Sequence, residues 1–178
     1  LVIDEAYIDF SKNQSFSKSL TNSSQLFVNQ TLSKSNSGAG LRVGVGISSS
    51  EIIAVLNRIK PPYNINTLAQ TEALKLVKDK AKFNENLDEI LVQKKRLFEG
   101  LNKLSIVSKI YPSDANFWLV KFKNANGVYN ALKQEGIIVR NRSKELYCEN
   151  CLRITVGNKK QNDTLLEQLT KMDQKTTK

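Results

Sequence analysis

The sequence predicts an α/β chain in which two domains are joined by one long helix, and three observations carry that expectation. Short apolar runs of strand length, Leu1-Val2-Ile3, Leu26-Phe27-Val28 and Leu41–Ile47, are separated by stretches rich in Ser, Asn and Gly. Leu87, Ile90, Leu91, Leu97, Phe98, Leu101 and Leu104 then form a single apolar stripe at helical spacing. Beyond that helix, strand-like and helix-like segments alternate at short intervals, which is the pattern of a small α/β domain. The expected parts are residues 1–80, a linking helix over 81–103, and a small carboxyl-terminal domain over 104–178.

The elements follow in order. Leu1-Val2-Ile3 reads as a buried strand running into Asp4-Glu5-Ala6-Tyr7, and an acid at such a strand end needs a partner for its charge. Residues 11–25 read as a surface loop or a short helix on the sheet's face. A strand over 42–48 leads to a helix through Ile52, Ile53, Val55, Leu56 and Ile59, with Ser48 and Glu51 at capping-box spacing. Pro61-Pro62 stops that helix, and a second opens near Thr67. Ile106–Tyr111 and Phe117–Phe122 are expected strands around Pro112-Ser113-Asp114. Val128, Tyr129 and Leu132 share a helix face closed by Gly136. Ile137–Arg140 and Cys151–Val156 are further strands, and Leu165, Leu166, Leu169 and Met172 mark the last helix.

Composition narrows the chemistry. With 40% hydrophobic and 25% charged residues the chain is globular, and no apolar run is long enough to span a membrane. Asp4 and Glu5 follow Leu1-Val2-Ile3 at once, so the amino end does not read as a signal peptide. The only methionine is Met172, and the chain is expected to be the carboxyl part of a longer, cytoplasmic protein. The net charge of +10 is scattered over helices and loops without a basic block, which points to a solvated surface and not to nucleic acid. The absence of histidine rules out a histidine base or histidine metal ligands in this chain. Cys148-Glu149-Asn150-Cys151 is a lone CxxC, expected to be two reduced thiols and not a zinc site.

The chemistry concentrates at Thr31-Leu32-Ser33-Lys34 and Arg42. A lysine held in a dry, shaped site can lose its proton and attack a carbonyl. A serine hydroxyl and a guanidinium beside it suit a phosphate. An amine for an aldehyde with a phosphate clamp is the requirement of pyridoxal 5′-phosphate. Arg153, inside an otherwise apolar strand, needs an anion: either a ligand or a neighbouring acid such as Asp114 or Glu149.

In this order the residues resemble fold-type I pyridoxal-phosphate aminotransferases and, more narrowly, the histidinol-phosphate aminotransferases. The narrower likeness rests on Val2–Tyr7, Lys60-Pro61-Pro62-Tyr63-Asn64, Tyr111–Phe117, Gly136–Arg140 and Cys151–Gly157. It implies that residues 1–80 are the carboxyl part of the cofactor-binding large domain. It further implies that Asp4 bonds the protonated ring nitrogen, Tyr7 the phenolic oxygen, and Ser33, Arg42 and Thr31 the phosphate. Lys34 would hold the cofactor aldehyde covalently and then carry the substrate's proton. Arg153 would grip the α-carboxylate and Arg140 the substrate's phosphate. The implied substrates are histidinol phosphate or imidazole acetol phosphate with glutamate or 2-oxoglutarate, and the implied full-length assembly is a homodimer without metal. The family usually has an apolar or aromatic residue where this chain has Asn36 and Ser37. The likeness covers only the carboxyl half of a family member, so the isolated chain is expected to be inactive. The competing readings are another aminotransferase or decarboxylase of the same fold, acting on aromatic amino acids, and a non-catalytic remnant.

Overall fold

Alternating apolar and polar residues place seven strands in two separate sheets in the computed structural model, which describes residues 1–22 and 25–176. The chain divides into two units, Leu1–Leu87 and Asp88–Lys178.

In the first unit, β1 (Val2–Asp4) lies parallel to β2 (Phe27–Thr31), and β2 runs antiparallel to β3 (Gly44–Ser48). Val28, fully buried, sits at the centre of this sheet. The expected burial of the first strand is found only in part: Ile3 is half-buried, but Leu1 and Val2 are exposed at the edge of the sheet. Gly46 has a packing reason, since a Cβ there would lie 2.6 Å from the Phe27 ring, which crosses β3 at that point.

The N-cap position of helix α1 (Ser50–Ile59) is Ser49, one residue later than the spacing of Ser48 and Glu51 suggests, and its side chain makes no capping hydrogen bond. Ser48 is spent elsewhere: its hydroxyl donates to the Leu26 carbonyl at 2.5 Å, tying β3 to the start of β2. The helix stops before Pro61-Pro62, and none of its residues is buried. Helix α2 (Thr67–Lys78) has a working cap, with Asn66 Oδ1 accepting from Ala69 N at 2.8 Å. Ala69 completes a small core with Leu32 and Val43, against which Leu41, Ile65 and Ala73 pack.

Helix α3 (Lys80–Leu101) contains the boundary between the units. The second unit has an antiparallel sheet in the order β4-β5-β7-β6, formed by β4 (Val107–Ile110), β5 (Phe117–Phe122), β6 (Arg140–Asn141) and β7 (Cys151–Thr155). Helices α4 (Ala125–Gln134) and α5 (Lys159–Thr176) complete it. Side chains alternate across a strand, so Val120, Phe122, Leu152 and Ile154 share one face. They form a continuous core with Leu97 and Leu101 of α3, Leu132 of α4 and Leu165 and Leu169 of α5.

Helix α4 ends in a Schellman motif. Gly136 adopts φ +73°, its N–H donates to Lys133 O at 3.1 Å, and Ile137 N donates to Leu132 O at 2.8 Å. That motif explains why the expected strand Ile137–Arg140 is pared to Arg140–Asn141: the Ile137 amide belongs to the helix end. Lys94, although charged, is buried, with Nζ donating to Ser113 O at 2.6 Å and lying 5.0 Å from the Trp118 ring centroid. Burial holds its pKa below the ordinary lysine value against the pull of Asp114.

Candidate active site

Strand polarity assembles the first unit's candidate residues. Because β1 and β2 are parallel and β3 is antiparallel to β2, Asp4, Thr31 and Gly44 stand at the same end of the sheet. The segment after β1 and the loop from β2 to β3 therefore leave from that end together. Buried Leu32 and Val43 pin the loop's two ends, and Leu32 N donates to Val43 O at 3.2 Å. Thr31 Oγ1 accepts from Ser33 N at 3.1 Å and donates to Val43 O at 3.4 Å. Its hydroxyl is thus committed to shaping the turn that presents Ser33 and Lys34.

Lys34 is half-buried, with Nζ 5.3 Å from the centroid of the Tyr7 ring. Arg42 is exposed in the left-handed region (φ 57°), and its Nη1 donates to Ala39 O at 3.0 Å. Asp4 is exposed at the end of β1, and its Oδ1 accepts from Ala6 N at 2.9 Å. Asp4, Tyr7, Thr31, Ser33, Lys34 and Arg42 thus all lie on segments at one end of one sheet. A primary amine, a hydroxyl with a guanidinium, a carboxylate and a phenol meet, in kind, what a phosphorylated pyridine aldehyde needs.

Two supports escaped the sequence reading. Ser35, next to the lysine, is buried, and its hydroxyl donates to Asp9 Oδ2 in a short hydrogen bond. This contact joins the lysine loop to the segment that carries Tyr7. The only signal in the sequence was an acid placed directly before the buried Phe10, which gives no hint of its partner. The second support is Glu5, buried beside Asp4. Its carboxylate accepts from Ser15 Oγ at 2.6 Å, Phe16 N at 2.7 Å and Gln30 Nε2 at 2.9 Å.

Burial alone would raise the Glu5 pKa. The bonds from Ser15, Gln30 and Phe16 outweigh it and hold the carboxyl below its ordinary value. A depressed carboxylate stabilises the fold above its unfolded pKa, and that contribution disappears as pH falls through the folded value. Thermal melts of the chain are therefore expected to lose stability below the ordinary carboxylate range, and Glu5→Gln should flatten that acid limb. An unchanged acid limb in the variant would remove Glu5 from the account.

In the second unit, Arg153 lies on β7 opposite Leu119 of β5 on one side and Arg140 of β6 on the other. The two arginines are direct cross-strand neighbours and so occupy one sheet face. Like charges so placed are unfavourable unless an anion joins them. The guanidinium of Arg153 lies 5.1 Å from the Phe117 ring centroid, and its Nε is buried without a hydrogen-bond partner. Among the described residues, no ion pair involves Arg153. The alternative of a salt bridge to Asp114 or Glu149 is therefore not realised. The pairing with Arg140 was missed from sequence because register is set by the fold, not by local pattern.

Comparison with known proteins adds to this geometry. The family model for aminotransferase class I and II matches residues 1–169. The chain is 48% identical to the histidinol-phosphate aminotransferase of Flavobacterium psychrophilum over 166 residues, which are 93% of this chain and 48% of that protein. Its structure resembles the histidinol-phosphate aminotransferase of Clostridium acetobutylicum with a TM-score of 0.90 at 29% identity, covering 98% of this chain and 54% of that one. It shares its fold with the Sinorhizobium meliloti enzyme of that name, solved in complex with pyridoxal-5′-phosphate (TM-score 0.87, 21% identity, 99% of this chain and 49% of that one). The chain spans about half the length of the curated relatives it matches.

Proposed function

Because the chain belongs to the class I and II aminotransferase family, we propose that it forms half of a pyridoxal 5′-phosphate-dependent transaminase. This enzyme would exchange an amino group between histidinol phosphate, or its ketone imidazole acetol phosphate, and glutamate or 2-oxoglutarate. The observation that carries this reading is Lys34 Nζ beside the Tyr7 ring, on a loop that also presents Ser33 and Arg42 at the sheet end where Asp4 stands. The names of the relatives support the choice of substrate. In this reading residues 1–80 belong to the cofactor-binding domain, 81–103 link the domains, and 104–178 form the small domain. The full-length protein is a cytoplasmic homodimer.

When bound, the cofactor supplies an aldehyde and an electron sink for charge developing at the substrate's α-carbon. The chain's own residues do the rest. Ser33 Oγ and the Arg42 guanidinium, on the turn braced by Thr31, bind the phosphate by charge-assisted hydrogen bonds. The Asp4 carboxylate would hold the ring nitrogen protonated, and the Tyr7 hydroxyl would bond the ring's oxygen. Lys34 Nζ would hold the cofactor aldehyde and would carry the proton taken from the substrate's α-carbon. Arg153 binds the α-carboxylate, and Arg140 the substrate's phosphate.

Borohydride reduction of the full-length protein loaded with cofactor, followed by peptide mapping, tests the assignment. The pyridoxyl label is expected on Lys34, and label on another lysine would overturn it. Comparing kcat/KM for histidinol phosphate and phenylalanine tests the substrate, with a strong preference for the phosphorylated amine expected. Arg153→Lys keeps the charge but loses the two-pronged geometry. It should cost roughly 1.5–3 kcal/mol, one to two decades in kcat/KM, with little change in Tm. A lowered Tm with unaltered kinetics would make Arg153 a structural residue.

A further inference from the structure

Cys148-Glu149-Asn150-Cys151 is the one sequence motif that the transaminase reading leaves unused. The connection from β6 to β7 is built of three successive hydrogen-bonded turns. Glu145 N donates to Arg142 O at 2.9 Å, Cys148 N to Glu145 O at 3.0 Å, and Cys151 N to Cys148 O at 3.0 Å. Arg142 N donates back to Cys151 O at 2.9 Å and closes the base. The third residues of the last two turns, Tyr147 (φ 61°) and Asn150 (φ 57°), both sit in the left-handed region, which a bulky side chain rarely occupies. Asn150 fastens the final turn to the core unit: its carbonyl accepts from Phe122 N at 2.9 Å and its Oδ1 from Ala125 N at 3.4 Å.

This turn starts with one cysteine and ends with the other. A four-residue turn holds its end Cα atoms within about 7 Å, and a disulfide closes over Cα separations of about 4.4–6.8 Å. Both thiols are free. Cys148 is half-buried, while Cys151 is fully buried, with Sγ 3.6 Å from the Glu149 carbonyl inside the same turn. Among the described residues, no further Cys, His, Asp or Glu joins the pair in a metal-binding group.

We infer that Cys148 and Cys151 form a reversible dithiol–disulfide pair, closed by exchange with a low-molecular-weight disulfide. The half-buried Cys148 thiolate attacks the disulfide, bonds to one of its sulfurs and releases the other as a thiolate. Cys151 then attacks the mixed disulfide at the Cys148 sulfur. The second small thiol departs with the proton that Cys151 gives up, so the protein loses two hydrogens and the reagent gains them. The order of attack follows from the surroundings. Burial and the neighbouring Cys148 push the Cys151 thiol up, against the pull of Lys121 and Tyr111. Cys148, half-buried, meets the reagent first, and the fully buried Cys151 meets only the mixed disulfide formed beside it. The bond would fasten the turn leading into β7, two residues before Arg153 and on the same sheet face.

The test incubates the 178-residue chain with oxidised glutathione under native conditions, with a dithiothreitol-treated control. Loss of both titratable thiols is expected, together with a mass decrease of two hydrogens in the peptide containing both cysteines. No covalent dimer should appear on a non-reducing gel, and dithiothreitol should reverse the change. A persistent glutathione adduct on the wild-type chain, an intermolecular dimer, or two thiols still free would each overturn the proposal. Cys151→Ser should trap the adduct on Cys148. Should that buried substitution prevent folding, Cys148→Ser at the more accessible position serves instead. It should leave Cys151 unmodified, and an adduct on Cys151 there would overturn the order of attack.

Discussion

Lys34→Ala in the full-length protein is expected to leave transamination almost undetectable. In the proposed mechanism two functions would be lost at one atom, covalent anchoring of the aldehyde and transfer of the α-proton. A positioned proton carrier alone accounts for about 10²–10⁴-fold in rate. These 178 residues contain no histidine to substitute for it. Tyr7, whose ring lies 5.3 Å from Lys34 Nζ, offers a phenol and not an amine, so it cannot replace the covalent anchor. The decisive measurement pairs kcat with the borohydride label. Loss of both from Lys34→Ala, with Tm retained, establishes the role, whereas a variant that keeps near-normal turnover removes Lys34 from the chemistry. Lys34→Arg should be equally inactive, since it restores the charge but not a deprotonatable amine.

The largest expected effect on stability comes from Phe122→Ala. Phe122 is 1% exposed and packs in the continuous core of the second unit, together with Leu97, Leu101, Leu132 and Leu169, which are fully buried. Truncating a buried Phe to Ala costs about 3–5 kcal/mol, because the surrounding side chains close the void only in part. A domain of ordinary stability has about 5–15 kcal/mol in total. The variant should therefore shift the urea midpoint of the second unit strongly downward. Leu32→Ala removes a residue from a much smaller cluster, where exposed surroundings relax more easily, and should cost less. Equal shifts for the two variants would contradict the unequal cores seen in the two units.

Local signals in the sequence were read well where the physics is local. The β5 strand covers Phe117–Phe122 as its alternation suggests, Pro61-Pro62 follows the end of α1, and Gly136 closes α4 through a positive φ. Errors came where one group had two possible uses. Ser48 could cap α1 or tie β3 to Leu26, and it does the latter. Ile137 could open a strand or finish a helix, and its amide finishes the helix. As candidates, Lys34 and Arg42 in the first unit and Arg153 in the second were legible because each is chemically conspicuous against small or apolar neighbours. The Ser35–Asp9 bond and the Arg140–Arg153 pairing were not. Both depend on which segments the sheets bring side by side, and no residue's immediate sequence records that.

The three-stranded sheet has a consequence for handling the isolated chain. β1 borders it with Leu1 and Val2 exposed, and Val2-Ile3-Asp4 contains neither proline nor lysine. Such residues are the usual guards against pairing with a stranger's strand. On the opposite border, β3 reads Gly-Val-Gly-Ile-Ser, with no charge at all. Each border offers a row of backbone donors and acceptors to whatever strand arrives first, another copy included. The isolated chain is therefore expected to associate through these borders as its concentration rises, which a light-scattering concentration series would show.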